Sequence, residues 1–283
     1  MKKICILILL VGTIVSAQKK EFYSLEEFKH SLKEFKYSLS GIQKVVFSTG
    51  TSIKIEVGTT QELILQELML SGTKDVNHKL HNLFPHKNSE EKVDKRKGLT
   101  AVYPSGKDGT NGLAFSISKE GGVLYITDLK SHFQRHGLKV KLPKNINISV
   151  DAGTWGSVTI DGFTGEVEVA TESGRIEMKN VTGPITANAY GIIDIDFDKV
   201  SQASPITISS TFSDIDVAIP ANTKADLTLR TEGTVYTNFD FDIPKKKGLK
   251  NVSGRKNIVS KLNNGGVKIY IKSSMGNIYL RKK

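Results

Sequence analysis

Between Val158 and Ile195 the chain repeats a pair of apolar residues at a near-constant interval. Val158, Val167, Ile176 and Ile185 recur every nine residues, and Ile193 follows after eight. Each has an apolar partner two places on: Ile160, Val169, Met178, Ala187 and Ile195. A spacing of two is the side-chain period of a strand. The breaks read "DGFTG", "TESG", "NVTG" and "AYG", which supply Gly for positive φ and Asn or Ser for local turns. β-Branched residues alternate with charges and Gly recurs at every break, so a helix is excluded. Strands of about five residues with turns of about four allow a sandwich or barrel of hairpins, or a β-solenoid in which each strand stacks on the one a coil earlier. A sandwich needs some longer crossing connections, and none interrupts Val158 to Phe197. The regularity favours an all-β solenoid of short strands with Gly-rich turns.

A larger repeat supports the coil. "LPKNINISVDAGTWGSVTI", Leu142 to Ile160, aligns without gaps to "IPANTKADLTLRTEGTVYT", Ile219 to Thr237, and "TESGRIEM", Thr171 to Met178, resembles "SSMGNIYL", Ser273 to Leu280. One module has been copied and has drifted. One coil cannot bury its own face, so stability accumulates coil by coil and the ends need covers. Arg281, Lys282 and Lys283 suit an open edge. Trp155, in a Gly-flanked turn before a strand, is read as a plug over a coil end, with an exposed aromatic contact as the other reading.

The chain divides into residues 1–17, an irregular β region over 18–142, and a regular repeat over 143–283, the last two expected to be continuous as one elongated domain. Lys2 and Lys3, the apolar run from Ile4 to Val15 and the exit Val15-Ser16-Ala17 form a secretory signal, with cleavage predicted after Ala17. The run is short for a membrane span, and no other stretch is long enough, so no transmembrane segment is expected in the mature chain. Cys5, the single cysteine, lies inside this segment. The mature chain is thus expected to have no disulfide or thiolate site, and its core and backbone ladder must hold it. In "YSLEEFKHSLKEF", Leu25, Phe28, Leu32 and Phe35 have helical spacing, with Ser24 and Glu27 as a capping box; a short capping helix competes with a strand through Phe35, Tyr37 and Leu39. Strands are predicted at Val45–Ser48, Ser52–Val57, Glu62–Leu70, Leu113–Ser118, Val123–Asp128 and Leu138–Leu142. Lys74 to Gly98 is polar and charged and reads as a basic loop.

The formal net charge is +11, unevenly spread. From Ile146 to Ile243 fifteen side chains are acidic and five basic; from Pro244 to Lys283 twelve are Lys or Arg and none is acidic. Lys245, Lys246, Lys247, Lys250, Arg255, Lys256 and Lys261 could meet an anionic glycan, lipopolysaccharide or another envelope protein by salt-sensitive attraction. The favoured reading is that they complement the acidic coils of the same molecule and keep an edge soluble. Asp194, Asp196 and Asp198 share one side of a strand, and Asp214 and Asp216 lie a coil further on. Stacked carboxylates can hold calcium, and alternation also demands a polar outer face with no ion; the Gly-Gly-x-Gly-x-Asp pattern of calcium-binding rolls is absent. His78, His81 and His86 lack a zinc-site spacing. His132 and His136 have the i, i+4 spacing, without a glutamate to complete a metalloprotease motif. No nucleophile elbow, phosphate loop, dinucleotide fingerprint or specific nucleic-acid motif is present, no cofactor is implied, and no carboxylate pair can be nominated across a cleft. The sequence predicts a non-catalytic exported protein of the cell envelope, either a binding surface or a structural spacer, with an acidic-polysaccharide-binding or -degrading, lyase-like β-helix protein as the alternative.

The C-terminal lines "DIDVAIPANTKADLTLRTEGTVYTNFDF" and "GVKIYIKSSMGNIYLRKK", with "GLTAVYPSGKDGTNGLAFSISKEGGVLYI" and "HGLKVKLPKNINISVDAGTWGSVTIDGFTGEVEV" before them, resemble the bacterial putative-adhesin family of β-strand-repeat proteins, a family of unknown function. The likeness covers roughly Phe35 to Lys283. It implies an extended β-solenoid and an envelope, cell-surface or secreted location, and it supplies no catalytic residues.

Overall fold

The computed structural model of the protein describes residues 34–69, 99, 101–130, 136–241 and 256–283. These residues hold twenty strands and no helix, arranged as two ten-stranded sheets. The strands are β1 (Glu34–Ser38), β2 (Lys44–Ser48), β3 (Ile53–Val57), β4 (Glu62–Met69), β5 (Phe115–Glu120), β6 (Val123–Asp128) and β7 (His136–Leu142). The regular run follows: β8 (Asn147–Asp151), β9 (Val158–Asp161), β10 (Val167–Thr171), β11 (Ile176–Val181), β12 (Ile185–Ala189), β13 (Ile193–Phe197), β14 (Ile206–Ser210) and β15 (Ile215–Ile219). The last five are β16 (Ala225–Thr231), β17 (Val235–Thr237), β18 (Lys256–Leu262), β19 (Val267–Ser273) and β20 (Ile278–Lys282).

From β8 to β15 the chain alternates between the two sheets, and each strand pairs in parallel with the strand two places on. The nine-residue interval is therefore half a turn of the chain. Val167 sits beside Ile185 in one sheet and Ile176 beside Val158 in the other. The alternation of apolar and polar residues turns one face of each strand inward, as in the pattern buried, half-buried, buried of Ile193, Asp194 and Ile195. The buried side chains form a single cluster from Leu39 to Leu280.

Sequential winding stops at both ends of that run. Written as pairs of strands in spatial order, the stack reads β6–β7, β2–β3, β8–β9, then on to β14–β15, then β19–β20 and β16–β17. The first pair, β2–β3, is flanked on both sides. So is the last pair: β19 lies between β14 and β16, and β20 between β15 and β17. Three of the four outermost strands are antiparallel to their neighbours, β1 on β4, β5 on β6 and β18 on β16, as β4 is on β7; the fourth, β17, pairs in parallel with β20. Arg281 and Lys282 therefore lie on an interior strand. They do not guard an open edge, as the sequence suggested.

Phe35 and Tyr37 belong to strand β1 and pack half-buried against the core, so the strand reading holds there in place of the helix. The rest of the expected helix, residues 1–17, the 74–98 loop, His78, His81, His86 and His132 lie outside the described residues, and of His136 only the backbone, in β7, is described.

The two kinds of corner differ. Where the chain passes from the sheet of β1 to that of β2, large apolar groups fill the bend, among them Ile146, Phe163, Phe197 and Phe239. At the opposite corner the residues are small. Thr171, Ala189, Ser210, Ser273 and Thr231 occupy one register column and are all buried. The hydroxyl of Thr171 donates to the carbonyl of Gly156 at 2.7 Å, Ser210 to Gly191 at 2.8 Å and Ser273 to Ser213 at 2.9 Å, each across to a neighbouring turn. Ser210 and Ser273 also accept backbone N–H groups of their own turns, from Ser213 at 3.3 Å and Gly276 at 2.9 Å, and the second partner of the Thr171 hydroxyl is the Gly153 carbonyl at 3.2 Å. Buried hydroxyls are thus satisfied twice, as burial requires.

Two glycines here serve closeness. A Cβ on Gly174 would lie 1.9 Å from the carbonyl oxygen of Gly156, and one on Gly191 would lie 2.5 Å from that of Gly174. Neither residue is among the positive-φ glycines, whereas Gly162 and Gly183, in the opposite corners, are. The sequence treated all these glycines as one kind; the structure separates those that need positive φ from those that serve a close approach.

Candidate functional site

The acidic column named from sequence lies on the outer face of the sheet containing β13 and β15. Glu177, Asp194 and Asp216 are register neighbours on successive strands, with Tyr279 and Tyr236 continuing the line. Like charges one strand apart repel, and cations interleave. Lys179 bonds Glu177 at 2.6 Å, Arg175 bonds Asp194, and Lys283 bonds Asp196. Arg281 grips Asp216 through both oxygens, with contacts of 2.7, 3.0 and 2.7 Å. The hydrogen bond from Lys179 is the main reason the Glu177 carboxyl is held below its ordinary range, and the bond to Asp216 raises the Arg281 guanidinium. Asp214 accepts the backbone N–H of Asn277 at 2.6 Å, so it serves the turn, and Asp198 is exposed past the end of β13. Among the described residues no group of three or more His, Cys, Asp or Glu side chains is placed to hold a metal ion. The five aspartates share a face without converging on a centre.

Of the basic set, Lys245, Lys246, Lys247, Lys250 and Arg255 lie outside the described residues. Lys256 opens β18 and Lys261 stands exposed near its other end, on the outermost strand of its sheet. Near the end of the other sheet, the rings of Tyr236 and Tyr279 stack at 5.1 Å between centroids, and Arg281 lies 5.7 Å over Tyr279.

The feature that sequence reasoning missed runs along the small-residue corner. Trp155 is 70% exposed, Tyr190 46%, Phe212 60% and Met275 64%. Trp155 is therefore no plug. It projects outward from the turn between β8 and β9, while Ala152 and Gly156 on either side of it are buried. Tyr190 projects from the β12–β13 turn, Phe212 from β14–β15 and Met275 from β19–β20; Ser173 fills the place in the β10–β11 turn. Backbone bonds tie these turns together: Ser173 N–H to Thr154 carbonyl at 2.8 Å, Tyr190 to Glu172 at 2.7 Å and Phe212 to Tyr190 at 3.1 Å. The Tyr190 and Phe212 rings meet edge to face, 5.7 Å apart at 82°. The result is a single file along five successive turns, four of which present an apolar side chain and one Ser173. The hydroxyl and glycine column beneath fixes its pitch. For three of the four, the signal in the sequence was an apolar residue just before a corner glycine, in "TWG", "YG" and "MG"; Phe212 precedes Ser213.

No protein-family model matches the sequence, and no curated protein matches it. Among solved structures, the chain is similar to one described as a "putative cell adhesion protein" from Clostridium sporogenes ATCC 15579, at 12% identity and TM-score 0.45, covering 89% of this chain and 100% of that one. It is also similar to one described as a "putative adhesin" from Bacteroides fragilis NCTC 9343, at 12% identity and TM-score 0.24, covering 89% of this chain and 97% of the other. Those scores do not establish a shared fold, and the family likeness drawn from the motifs stands as a resemblance.

Proposed function

We propose that the chain is a non-catalytic, exported binding protein of the bacterial cell envelope, adhesin-like in its use. In this reading it is a stiff stack of strands that holds side chains outward for a partner to meet. One observation carries the proposal: a row of large apolar side chains is kept in water on one corner, although most Val, Ile, Leu and Phe side chains of the described strands are buried. Exposed apolar clusters mark interaction sites, and this one is held by buried hydrogen bonds beneath it. The signal-like residues 1–17 support export, and the basic residues from Lys245 to Lys261 offer a second, electrostatic contact.

A glycan array at low and high salt, with a reducing-end assay on every hit, tests this. The expected result is retention of a glycan with no new reducing ends. Retention on no glycan at either salt concentration overturns binding. Release of reducing ends overturns the non-catalytic reading in favour of polysaccharide cleavage.

A further inference from the structure

We propose that the corner row binds an extended, neutral polysaccharide, whose sugar rings stack on Trp155, Tyr190 and Phe212; this rests on the binding reading above and names its ligand class. The pitch is the first argument. Neighbouring strands lie about 4.8 Å apart, so the turns from Trp155 to Met275 present one position per strand spacing. An extended pyranose chain advances by about that distance per sugar. A polymer laid along the corner meets one turn per ring: Trp155, Ser173, Tyr190, Phe212 and Met275 in order. The row then accommodates about five sugars, spanning roughly 19 Å at that strand spacing.

The chemistry of the row is the second argument. Sugars present an apolar C–H face and a hydroxyl rim. Aromatic faces carry negative charge density that favours C–H groups. Tyr190 and Phe212 stand nearly perpendicular, so one ring supplies a floor and the other a side wall. Polar groups suited to sugar hydroxyls alternate with the rings: Thr154 beside Trp155, Ser173 and the exposed Glu172 in the next turn, Thr211 beside Phe212 and Ser274 beside Met275.

Charge and width set the other partners aside. The exposed acids near the row are Asp151, Glu172 and Glu232, and Arg175, at the same corner, is engaged by Asp194. Acidic polymers and anionic bilayer surfaces are repelled by that pattern. A stable protein partner needs roughly 800 Å² on each side, more than a file one side chain wide offers.

Trp155 is the sole tryptophan, so its emission reports directly on the site. Titration of the full chain with cello- and chito-oligosaccharides of increasing length should quench or blue-shift that emission, with affinity rising up to about five sugars, the number of turns in the row. Tyr190→Ala and Phe212→Ala should each weaken binding roughly tenfold, as loss of an aromatic anchor does, with unchanged circular dichroism and melting midpoint because both rings are exposed. Trp155→Ala should abolish retention on amorphous cellulose or chitin beads. Three results would overturn the proposal. One is an emission indifferent to every neutral oligosaccharide. Another is retention on polygalacturonate or heparin that the three substitutions leave intact; the binding reading would then survive with a different site. The third is a blue shift on phosphatidylglycerol vesicles alone, which would make the row a membrane contact. Retention on none of these probes would take down the binding reading with it.

Discussion

At the residue scale, the small corner is where one atom decides the outcome. Gly174 lies so close to the Gly156 carbonyl that a methyl group there, 1.9 Å from the oxygen, must push two turns apart. Gly174→Ala is expected to destabilise the protein by about 1–3 kcal/mol, the range for inserting a carbon into a packed site, read as a lower urea midpoint. Thr171→Val keeps the shape and removes the hydroxyl that bonds the Gly156 carbonyl at 2.7 Å. Leaving that group without its partner should cost about 1–3 kcal/mol, and Thr171→Ser should restore most of it. A result in which Val and Ser variants unfold at the same midpoint would assign the column a packing role alone. Sequence reading took "TESG" as a turn needing positive φ. The structure shows a small residue, a two-residue turn and a close approach, which periodicity cannot reveal because the contact is with the next coil and not with the chain's own neighbours.

At the element scale, the strands themselves were legible and their spatial order was not. Val123–Asp128 lies where alternation placed it, and Leu113–Ser118 is found two residues later as Phe115–Glu120, since Leu113 and Ala114 belong to the turn that Asp108 organises. Alternation records which face of a strand is wet; it holds no information about which strand lies alongside. That is why β19–β20 was expected at an edge and is found between β14–β15 and β16–β17. Ile271, fully buried, pairs in register with Ile208 on one side and Leu229 on the other. Ile271→Asp should therefore release two elements at once. Hydrogen exchange is expected to speed up at β16 and β19 together; protection kept at β16 would show that β18 alone anchors it. Ion pairs also cross strands: Lys44 of β2 reaches Glu168 of β10 at 2.6 Å, past β8. That hydrogen bond holds the Glu168 carboxyl below its ordinary range, and bonds from Lys54 and then Lys139 do the same for Glu56. Carboxyls depressed in the folded state contribute stability above their unfolded value of about 4.3, and lose it as pH falls through the folded value. The urea midpoint should be flat with respect to these groups above about pH 5 and decline below about pH 4. Lys44→Met should shallow the decline, by a small amount because such exposed pairs are worth under about 1 kcal/mol.

At the scale of the whole molecule, the out-of-order end pairs change how the stack comes apart. In a repeat array wound in strict sequence, terminal repeats contact one neighbour and fray first, and stability is a sum of local terms. Here the strands nearest both ends of the described chain, apart from β1, are flanked on two sides. Unfolding β19–β20 exposes the inner faces of β14–β15 and of β16–β17, and unfolding β2–β3 does the same for β6–β7 and β8–β9. Apart from β1, neither end can peel without opening the single core cluster that runs from Leu39 to Leu280. Loss of the ends and loss of the middle are thereby coupled, and coincident probes are the test of such coupling. Trp155 sits at the β8–β9 turn, beside the regular run, and far-UV circular dichroism averages over every strand. Urea unfolding followed by Trp155 emission and by circular dichroism is expected to give superimposable curves with one midpoint and one slope. A dichroism curve that begins to fall at lower urea than the tryptophan curve would mean that the end pairs detach independently, and the interlock would then be a matter of topology without energetic consequence.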